Sequence, residues 1–477
     1  MSNHTCSKEE LIRDYSMQIC NKSASLFIGS GLSRAAGYID WKGLLKDVAI
    51  DIGLDVEKET DLISLAEYYV NSKRNRVKID TAISQFFGEV KDPTVTHLLL
   101  ASLPITSYWT TNYDKLIEHT FDKLNISCSL LTNDDSFRKY INGKNVIIHK
   151  LHGDVDDPHH AVITKEDYDK FKSNHEILLA KLKGEMCSNT FLFLGYSFSD
   201  TDINHILTEI KLFYKGQPAR NHYCIQEKIK RKPNETESDF EYRKTKQDHH
   251  IVNLQTYGIQ TVLVDSYETD IPLILKEIRK IVYSRTVFIS GSCEDGDVQS
   301  DMYCKYAQTL ATWLIACNYK IYSGYGKNIG VAVIEGVHDG CKVTKRHAVK
   351  KFNEQVFVYP FPYKSVRDDV ERKQIYTELR NNTINKTQIV IIINGSKKIK
   401  RKKVISDGVL EEFQIAKEMG CLIVPIAVTG GAAAEVWEIM KKSDSMYTNS
   451  EYFDVLKYGK NFEEVYTAIR EIIQSHS

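Results

Sequence analysis

The fold of the first half of the chain is decided by the stretch Ser25-Leu26-Phe27-Ile28-Gly29-Ser30-Gly31-Leu32-Ser33-Arg34-Ala35-Ala36-Gly37. The apolar run at its start predicts a buried strand, and the glycines and serines that follow predict a tight turn into a helix. Glycine lets the backbone approach a pyrophosphate closely, and the amides of a helix start attract anions. Gly29, Ser30, Gly31 and Ser33 are therefore candidates for binding a nucleotide, and an ordinary tight turn of an α/β protein is the alternative.

The bulk composition narrows the class of protein. A chain of 477 residues is long for one core and predicts two or three domains. Lys plus Arg and Asp plus Glu both number 63, so general attraction to nucleic acid or to an anionic membrane is not expected. The 10 cysteines form no C-x-x-C pair, which predicts neither a zinc site nor a disulfide framework. Without a signal peptide or a membrane-length apolar run, we expect a cytoplasmic protein.

Three further predicted strands end in polar residues. Thr111-Asn112-Tyr113-Asp114 follows strand 105–110, His152-Gly153-Asp154 follows strand 146–151, and Gly195-Tyr196-Ser197 follows strand 190–194. Open α/β sheets bind ligands at the carboxyl ends of their strands. Asn112, Asp114, Gly195 and Ser197 are thus candidate ligand contacts, with helix caps and plain turns as the alternative.

Two histidines and one aspartate near these strand ends are predicted to have three different roles. Imidazole titrates near neutral pH, so His152 suits a general base, although a loop histidine is more often a surface residue. His149 lies inside its strand and is interpreted as structural. Asp200 is interpreted as the N-cap of the helix that follows.

In chain order these four motifs resemble the sirtuin family over about residues 8–280. The resemblance implies that NAD is the substrate, that Asn112 lies against the nicotinamide ribose and that His152 is the general base acting on a ribose hydroxyl. Asn112 and His152 would then be the catalytic pair. The implied NAD-binding residues are Gly29, Ser30, Gly31, Ser33, Asn112, Asp114, Gly195 and Ser197.

The chain departs from the sirtuin pattern in two ways that affect its chemistry. Of the family's proline, aspartate, phenylalanine and arginine run, only Asp40 has a counterpart, and the four-cysteine zinc ribbon is absent. Because that ribbon helps to build the protein-substrate groove, deacylation of a protein is disfavoured. The remaining reaction is scission of the nicotinamide N-glycosidic bond with water as acceptor, for which we expect no metal. An NAD-dependent deacylase and a non-catalytic nucleotide sensor are the alternatives.

From residue 284 a second alternation of strands and helices begins, with nearly continuous apolar strands. Such a pattern predicts a parallel, doubly wound sheet. The fold class is therefore α/β, with two Rossmann-like domains at residues 1–283 and 284–477. Ser290-Gly291-Ser292, Ser323-Gly324-Tyr325-Gly326, the helix with Arg380 and Gly408-Val409-Leu410-Glu411-Glu412 follow one another in this half.

These motifs resemble the SLOG family of nucleotide-sensing proteins over about residues 284–477. An arginine can bind a phosphate through its fork, and a glutamate can accept hydrogen bonds from ribose hydroxyls. The basic run 397–403 is a solvated loop, a phosphate-binding lid or a nucleic-acid contact, and its lack of aromatic residues disfavours single-stranded nucleic acid. The resemblance implies a pocket formed by Gly291, Ser292, Lys327, Phe361, Arg380, Lys397, Gly408 and Glu412.

A sirtuin-like domain without a zinc ribbon, followed by a SLOG-like domain, resembles the effector NADases of bacterial Thoeris antiphage systems. This resemblance implies hydrolysis of NAD+ to ADP-ribose and nicotinamide. It also implies a partner TIR-domain protein whose product, a cyclic ADP-ribose isomer, binds the second domain as activator, so that NAD depletion leads to abortive infection. A homo-oligomer, a tetramer or a larger assembly, is implied as well, with no nucleic-acid or membrane partner.

Overall fold

The computed structural model describes residues 5–139, 146–198, 200–216, 220–294, 299–343, 348–362, 368–399, 402–443, 445 and 447–476. The chain folds into two compact units, residues 1–278 and 279–477. Each unit is built on a parallel β-sheet with helices between successive strands. The prediction of an α/β protein with two parallel sheets is confirmed.

The first unit contains a sheet of seven strands in the order β3-β4-β2-β1-β5-β6-β7, and all neighbouring pairs are parallel. Its strands are β1 (Ala24–Ile28), β2 (Ser107–Thr110), β3 (Cys128–Leu131), β4 (Val146–Lys150), β5 (Thr190–Leu194), β6 (His222–Glu227) and β7 (Ile259–Val264). The helices are α1 (Lys8–Cys20), α2 (Ser30–Ala35), α3 (Trp41–Asp51), α4 (Leu62–Lys73), α5 (Val77–Phe87), α6 (Val95–Ser102), α7 (Leu116–Lys123), α8 (Ser136–Lys139), α9 (Lys165–Asn174), α10 (Glu176–Ser188), α11 (Thr201–Phe213) and α12 (Glu237–Gln255). A further helix, α13 (Tyr267–Val282), begins in the first unit and ends in the second.

The centre of this sheet is also the place where its strand order reverses. β1 and β5 are buried at every position and pair along their whole length, with Ile28 opposite Leu194. From β1 the chain moves to β2 on one side and later reaches β5 on the other. Parallel sheets leave a crevice at the carboxyl ends of the strands that flank such a reversal. A ligand site is therefore expected where β1 and β5 end.

The glycines of the first motif are needed for close packing between two backbones. Gly31 donates its backbone N–H to the carbonyl of Gly195 at 2.9 Å, so the turn after β1 lies directly on the end of β5. A Cβ atom on Gly29 would lie 2.4 Å from the Gly195 oxygen, and one on Gly195 would lie 2.6 Å from the Leu32 nitrogen. Gly195 also has a φ of +64°, a region that favours glycine.

Gly195→Ala is expected to lower the free energy of unfolding by more than about 2 kcal/mol, because it combines a left-handed backbone with a clash against main chain. Gly184→Ala is the matched control, since Gly184 lies inside α10 and a Cβ there would meet nothing within 4 Å. The control should be neutral or more stable, by up to about 1 kcal/mol. Thermal melting of the two variants checks this, and equal melting temperatures would contradict it.

The second unit contains a sheet of five parallel strands in the order β10-β9-β8-β11-β14. Its strands are β8 (Thr286–Ser292), β9 (Lys320–Ser323), β10 (Val356–Val358), β11 (Ile389–Asn394) and β14 (Leu422–Ile426), and β12 (Ser396–Ile399) and β13 (Lys402–Ile405) form a separate pair. The helices are α14 (Ser300–Ala316), α15 (Ile329–Val343), α16 (Ala348–Gln355), α17 (Asp369–Ile384), α18 (Asp407–Glu418), α19 (Gly431–Lys441), α20 (Glu451–Tyr458) and α21 (Phe462–Ser475). Here the strand order reverses between β8 and β11.

Most of the basic run 397–403 belongs to a hairpin and not to a loop. β12 and β13 pair antiparallel, with Lys398 opposite Lys403. Lys400 and Arg401 lie outside the described residues. Lysine is depleted in strands, so the local sequence gives little indication of this hairpin. Among the helices of the described residues, none has the length and apolar character to cross a lipid bilayer.

Candidate active site

A cavity of about 550 Å³ opens at the carboxyl ends of the central strands of the first unit. Most of the predicted NAD-site residues line it, namely Ser30, Ser33, Asn112, Asp114, His152, Gly195 and Ser197. Gly29 and Gly31 do not line it, and a Cβ on either would clash with the backbone of Gly195. Its wall also contains the N-cap residues of α3 and α4, Asp40 and Asp61.

Asn112 is held by a chain of hydrogen bonds that joins two strand ends. Its Nδ2 donates to Ser33 Oγ at 2.9 Å, and Ser33 Oγ donates to Asp114 Oδ2 at 2.8 Å. Asp114 Oδ1 accepts from the backbone N–H of Leu116, the first residue of α7, at 3.0 Å. All three polar side chains are buried. The Asn112 carboxamide is therefore oriented before any ligand binds.

Lys150 is a fully buried lysine behind this loop, and the sequence analysis did not single it out. Its Nζ donates to the Asp114 carbonyl and to Asp154 Oδ2, both at 2.6 Å, and lies 2.7 Å from Glu118 Oε1. Burial works against the lysine's charge, but attraction to Glu118 and Asp154 outweighs it and raises the pKa of Lys150 above its usual value. Burial also raises the pKa of Asp114, and attraction to Lys150 opposes this rise.

Lys150→Met is expected to lower the free energy of unfolding by about 3–5 kcal/mol, because two buried carboxylates lose their counter-charge. Lys123→Met is the control, since Lys123 pairs with the exposed carboxylate of Asp92. An exposed pair of this kind contributes little to stability. Urea unfolding of both variants checks the prediction, and a similar loss in the two would contradict it.

His152 follows β4 and is 3% exposed. Its Nε2 lies 3.1 Å from Asp200 Oδ2, within ion-pair distance, but the approach lacks hydrogen-bond geometry. The rings of Tyr168 and Phe171 stand edge-on to the imidazole, with centroids 5.4 Å and 5.6 Å away. The ring is thus enclosed by aromatic side chains on one part of its surface and faces a carboxylate on another.

Asp200 has two contacts, of which the sequence predicted one. Its Oδ1 accepts from the backbone N–H groups of Asp202 and Ile203 at 3.0 Å and 3.2 Å, which confirms the predicted N-cap. Its Oδ2 is the atom that faces His152. Burial acts to raise the pKa of Asp200, but attraction to His152 and these N–H donors outweigh burial and hold the pKa below its usual value.

Asp202, whose backbone N–H donates to Asp200, adds a second carboxylate beside His152. Burial and repulsion from Asp200 raise the pKa of Asp202 to about 6. Ligand atoms of His152, Asp200 and Asp202 all lie within 4.8 Å of one another. The site therefore combines one imidazole and two carboxylates in a small volume.

The second unit has a cavity of about 1080 Å³ beside the reversal of its strand order. The predicted signal-binding residues all line this cavity: Gly291, Ser292, Lys327, Phe361, Arg380, Lys397, Gly408 and Glu412. Lys327 Nζ lies 2.7 Å from Glu294, and Lys397 pairs with Asp407. The cavity wall thus carries cations that are already oriented by neighbouring carboxylates.

Arg380 is the central cation of this second cavity. Its Nη1 lies 2.8 Å from Glu411 Oε2 and its Nε 3.5 Å from Glu412 Oε1. The guanidinium lies 5.0 Å from the ring centroid of Phe361, and Gly408 leaves room for it, since a Cβ there would be 2.3 Å from Nη2. Burial raises the pKa of Glu412, which also accepts a hydrogen bond from Ser290, while attraction to Arg380 opposes the rise.

Comparison with known proteins finds a matching family for each half of the chain. A family described as SIR2-like domain matches residues 106–261, and the Sir2- and TIR-associating SLOG family matches residues 270–476. The chain is 35% identical to the NAD(+) hydrolase ThsA of Acinetobacter baumannii over 461 residues, which cover 94% of this chain and 93% of the relative. It is 34% identical to the NAD(+) hydrolase ThsA of Bacillus cereus, covering 92% of this chain and 90% of the relative. The predicted resemblances are confirmed, and the chain belongs to the family of ThsA NAD(+) hydrolases.

Proposed function

We propose that this protein hydrolyses NAD+ to ADP-ribose and nicotinamide in the first cavity, and that a cyclic ADP-ribose isomer bound in the second cavity activates the reaction. The observation that carries the proposal is that Asn112, oriented by Ser33, and His152 line one cavity. The name of the relatives, NAD(+) hydrolase, supports the same reaction.

The chemistry asks for positioning and electrostatics more than for a strong nucleophile. Positive charge develops on the ribose as nicotinamide leaves as a neutral group, so a preorganised polar site lowers the barrier. Asn112 orients the nicotinamide ribose, and His152 accepts the proton of a ribose hydroxyl. The Asp200 carboxylate in the cavity wall adds negative charge near the developing cation. Water is the acceptor, and no metal takes part in the bond cleavage.

The second cavity has groups that suit a nucleotide with two phosphates. Arg380, Lys327 and Lys397 can bind phosphate oxygens, Phe361 offers an aromatic face to a base, and Glu412 can accept from ribose hydroxyls. The ligand activates only if it binds the active arrangement of a homo-oligomer more tightly than the resting one. In the cell, a TIR-domain protein would supply this ligand in the cytoplasm, and loss of NAD would end phage growth by abortive infection.

The deciding experiment is NAD consumption by the purified protein with and without cyclic ADP-ribose isomers, followed by chromatography of the products. Signal-dependent release of nicotinamide and ADP-ribose is expected for the unaltered protein and for Asn71→Ala, a change at an exposed asparagine of α4. The same release should be lost in Asn112→Ala. NAD that stays constant under all conditions would refute the proposal, and turnover only with an acetylated peptide would favour a deacylase.

A further inference from the structure

We propose that His152, Asp200 and Asp202 form a binding site for a divalent transition-metal ion such as Zn2+, and that metal bound there blocks NAD hydrolysis. The inhibitory half of this inference rests on the proposed function, whereas the site itself rests on geometry. The metal is an inhibitor here and not a cofactor of the reaction.

Two buried polar atoms of this cluster make no hydrogen bond, although His152 Nε2 lies 3.1 Å from Asp200 Oδ2. His152 Nε2 and Asp202 Oδ2 are buried, and neither has a hydrogen-bond partner among the described residues. Buried polar atoms in proteins are almost always paired, so each such atom calls for an explanation. Among the described ion pairs, no lysine or arginine contacts Asp200 or Asp202. A cation bound between these side chains would give both His152 Nε2 and Asp202 Oδ2 a partner.

The distances fit adjacent ligands of one ion. His152 Nε2 and Asp200 Oδ2 are 3.1 Å apart, and two ligands that each lie about 2.1 Å from a metal are about 3 Å apart at a right angle and about 3.4 Å apart at the tetrahedral angle. The three ligand atoms lie within 4.8 Å of one another, so a small rotation of the Asp202 side chain completes the set. Hydrogen bonds that orient a ligand strengthen a metal site, and Asp200 Oδ1 already receives two backbone N–H groups.

The donor set selects the class of ion. One imidazole nitrogen with two carboxylate oxygens suits Zn2+, Co2+, Mn2+ or Fe2+ and differs from the all-oxygen sets of Ca2+ and Mg2+. His152 and Asp200 line the cavity, so further coordination positions would be open to water or substrate. The start of α11 offsets part of the negative charge of the two carboxylates, which favours a reversible site over a permanent one.

Metal binding and base catalysis by His152 exclude each other. A neutral imidazole has one nitrogen that can accept a proton, and the other nitrogen carries a hydrogen. A metal bound through Nε2 uses that single lone pair, so no ring nitrogen remains to accept a proton from a ribose hydroxyl. Zn2+ is therefore expected to lower the rate of NAD hydrolysis.

The test measures metal binding and hydrolysis separately on the chelator-treated full-length protein. Co2+ added alone should bind with a stoichiometry of one and give a visible absorption band. Asp202→Asn should weaken Co2+ binding at least tenfold, while Asp169→Asn, a change at an exposed aspartate of α9, should bind as the unaltered protein does. Equal binding by both variants, or no binding by the unaltered protein, would overturn the site.

Inhibition is then compared with each variant's own rate in the absence of metal. Half-inhibition of signal-activated NAD loss should need at least tenfold more Zn2+ in Asp202→Asn than in Asp169→Asn. Binding of Co2+ that depends on Asp202, without inhibition by Zn2+ of an active enzyme, would overturn the inhibitory role. Absence of NAD turnover in every sample refutes the proposed function instead, and the Co2+ titration still decides the site.

Discussion

His152→Ala is expected to reduce signal-activated NAD hydrolysis by about 10²–10⁴-fold, which is the usual contribution of a general base. The imidazole is buried at the cavity wall between aromatic rings and Asp200, and among the described residues that line the cavity it is the one histidine. The rate is measured as nicotinamide released over time at saturating NAD+. Melting temperature is recorded in parallel to separate a lost base from a lost fold.

His160→Ala is the matched control for this prediction. Its side chain is 77% exposed and pairs with Asp157 at the surface, away from the cavity wall. It should keep the rate of the unaltered protein. A rate for His152→Ala close to that of His160→Ala would remove His152 from the reaction and leave a nucleotide-binding role for the cavity.

Asp200→Asn distinguishes the two roles of Asp200, which are capping α11 and placing a negative charge beside His152. Asparagine caps helices about as well as aspartate, so α11 should keep its start while the negative charge beside the imidazole is lost. We expect a rate between those of the unaltered protein and His152→Ala. If Asp200 acts through His152, the Asn change should have little further effect in the His152→Ala background. Independent losses in the double variant would contradict that coupling.

The strands and the residues that directly follow them could be predicted from the sequence. Apolar runs bounded by glycine and small polar residues predicted β1, β4 and β5, and the rule that ligands bind at carboxyl ends brought Asn112 and His152 together. The eight residues predicted for the second cavity also line one cavity. In the first unit these side chains lie near one another because each closely follows a strand, where local sequence determines position.

The contacts between distant segments could not be predicted in the same way. Glycine at 29 and 31 has the same appearance whether it faces a phosphate or, as here, the backbone of Gly195. Lys150 ends an apolar strand, which was a signal for a buried charge, but its partners Asp114 and Glu118 lie in the segment after β2 and in α7. The contact between Asp200 and His152 depends on where β4 and β5 lie in the sheet, and no local sequence pattern specifies that order.

Arg380→Ala is expected to raise the concentration of cyclic ADP-ribose isomer needed for half-activation by roughly 10–100-fold, the value of a hydrogen bond to a charged group. The guanidinium is the buried cation of the second cavity and is held beside Phe361 by Glu411 and Glu412. A dose-response of NAD loss measures the shift, and calorimetry with the isomer measures binding directly. Arg380→Lys keeps the charge but loses the planar fork, so it should recover only part of the response.

The same substitution has a consequence for stability whose sign depends on pH. Burial already raises the pKa of Glu412, and loss of Arg380 removes the attraction that opposes this rise. A carboxyl whose pKa is higher in the folded than in the unfolded protein binds more protons when folded, so stability falls as pH increases above the unfolded value. The melting temperature of Arg380→Ala should therefore lie closer to that of the unaltered protein at about pH 5.5 than at about pH 8.

Gln374→Ala, at an exposed position of α17, is the control and should show neither the pH-dependent melting nor the loss of response. A normal signal response in Arg380→Ala would show that the signal binds elsewhere, because this cavity cannot bind a phosphate equally well without its buried cation.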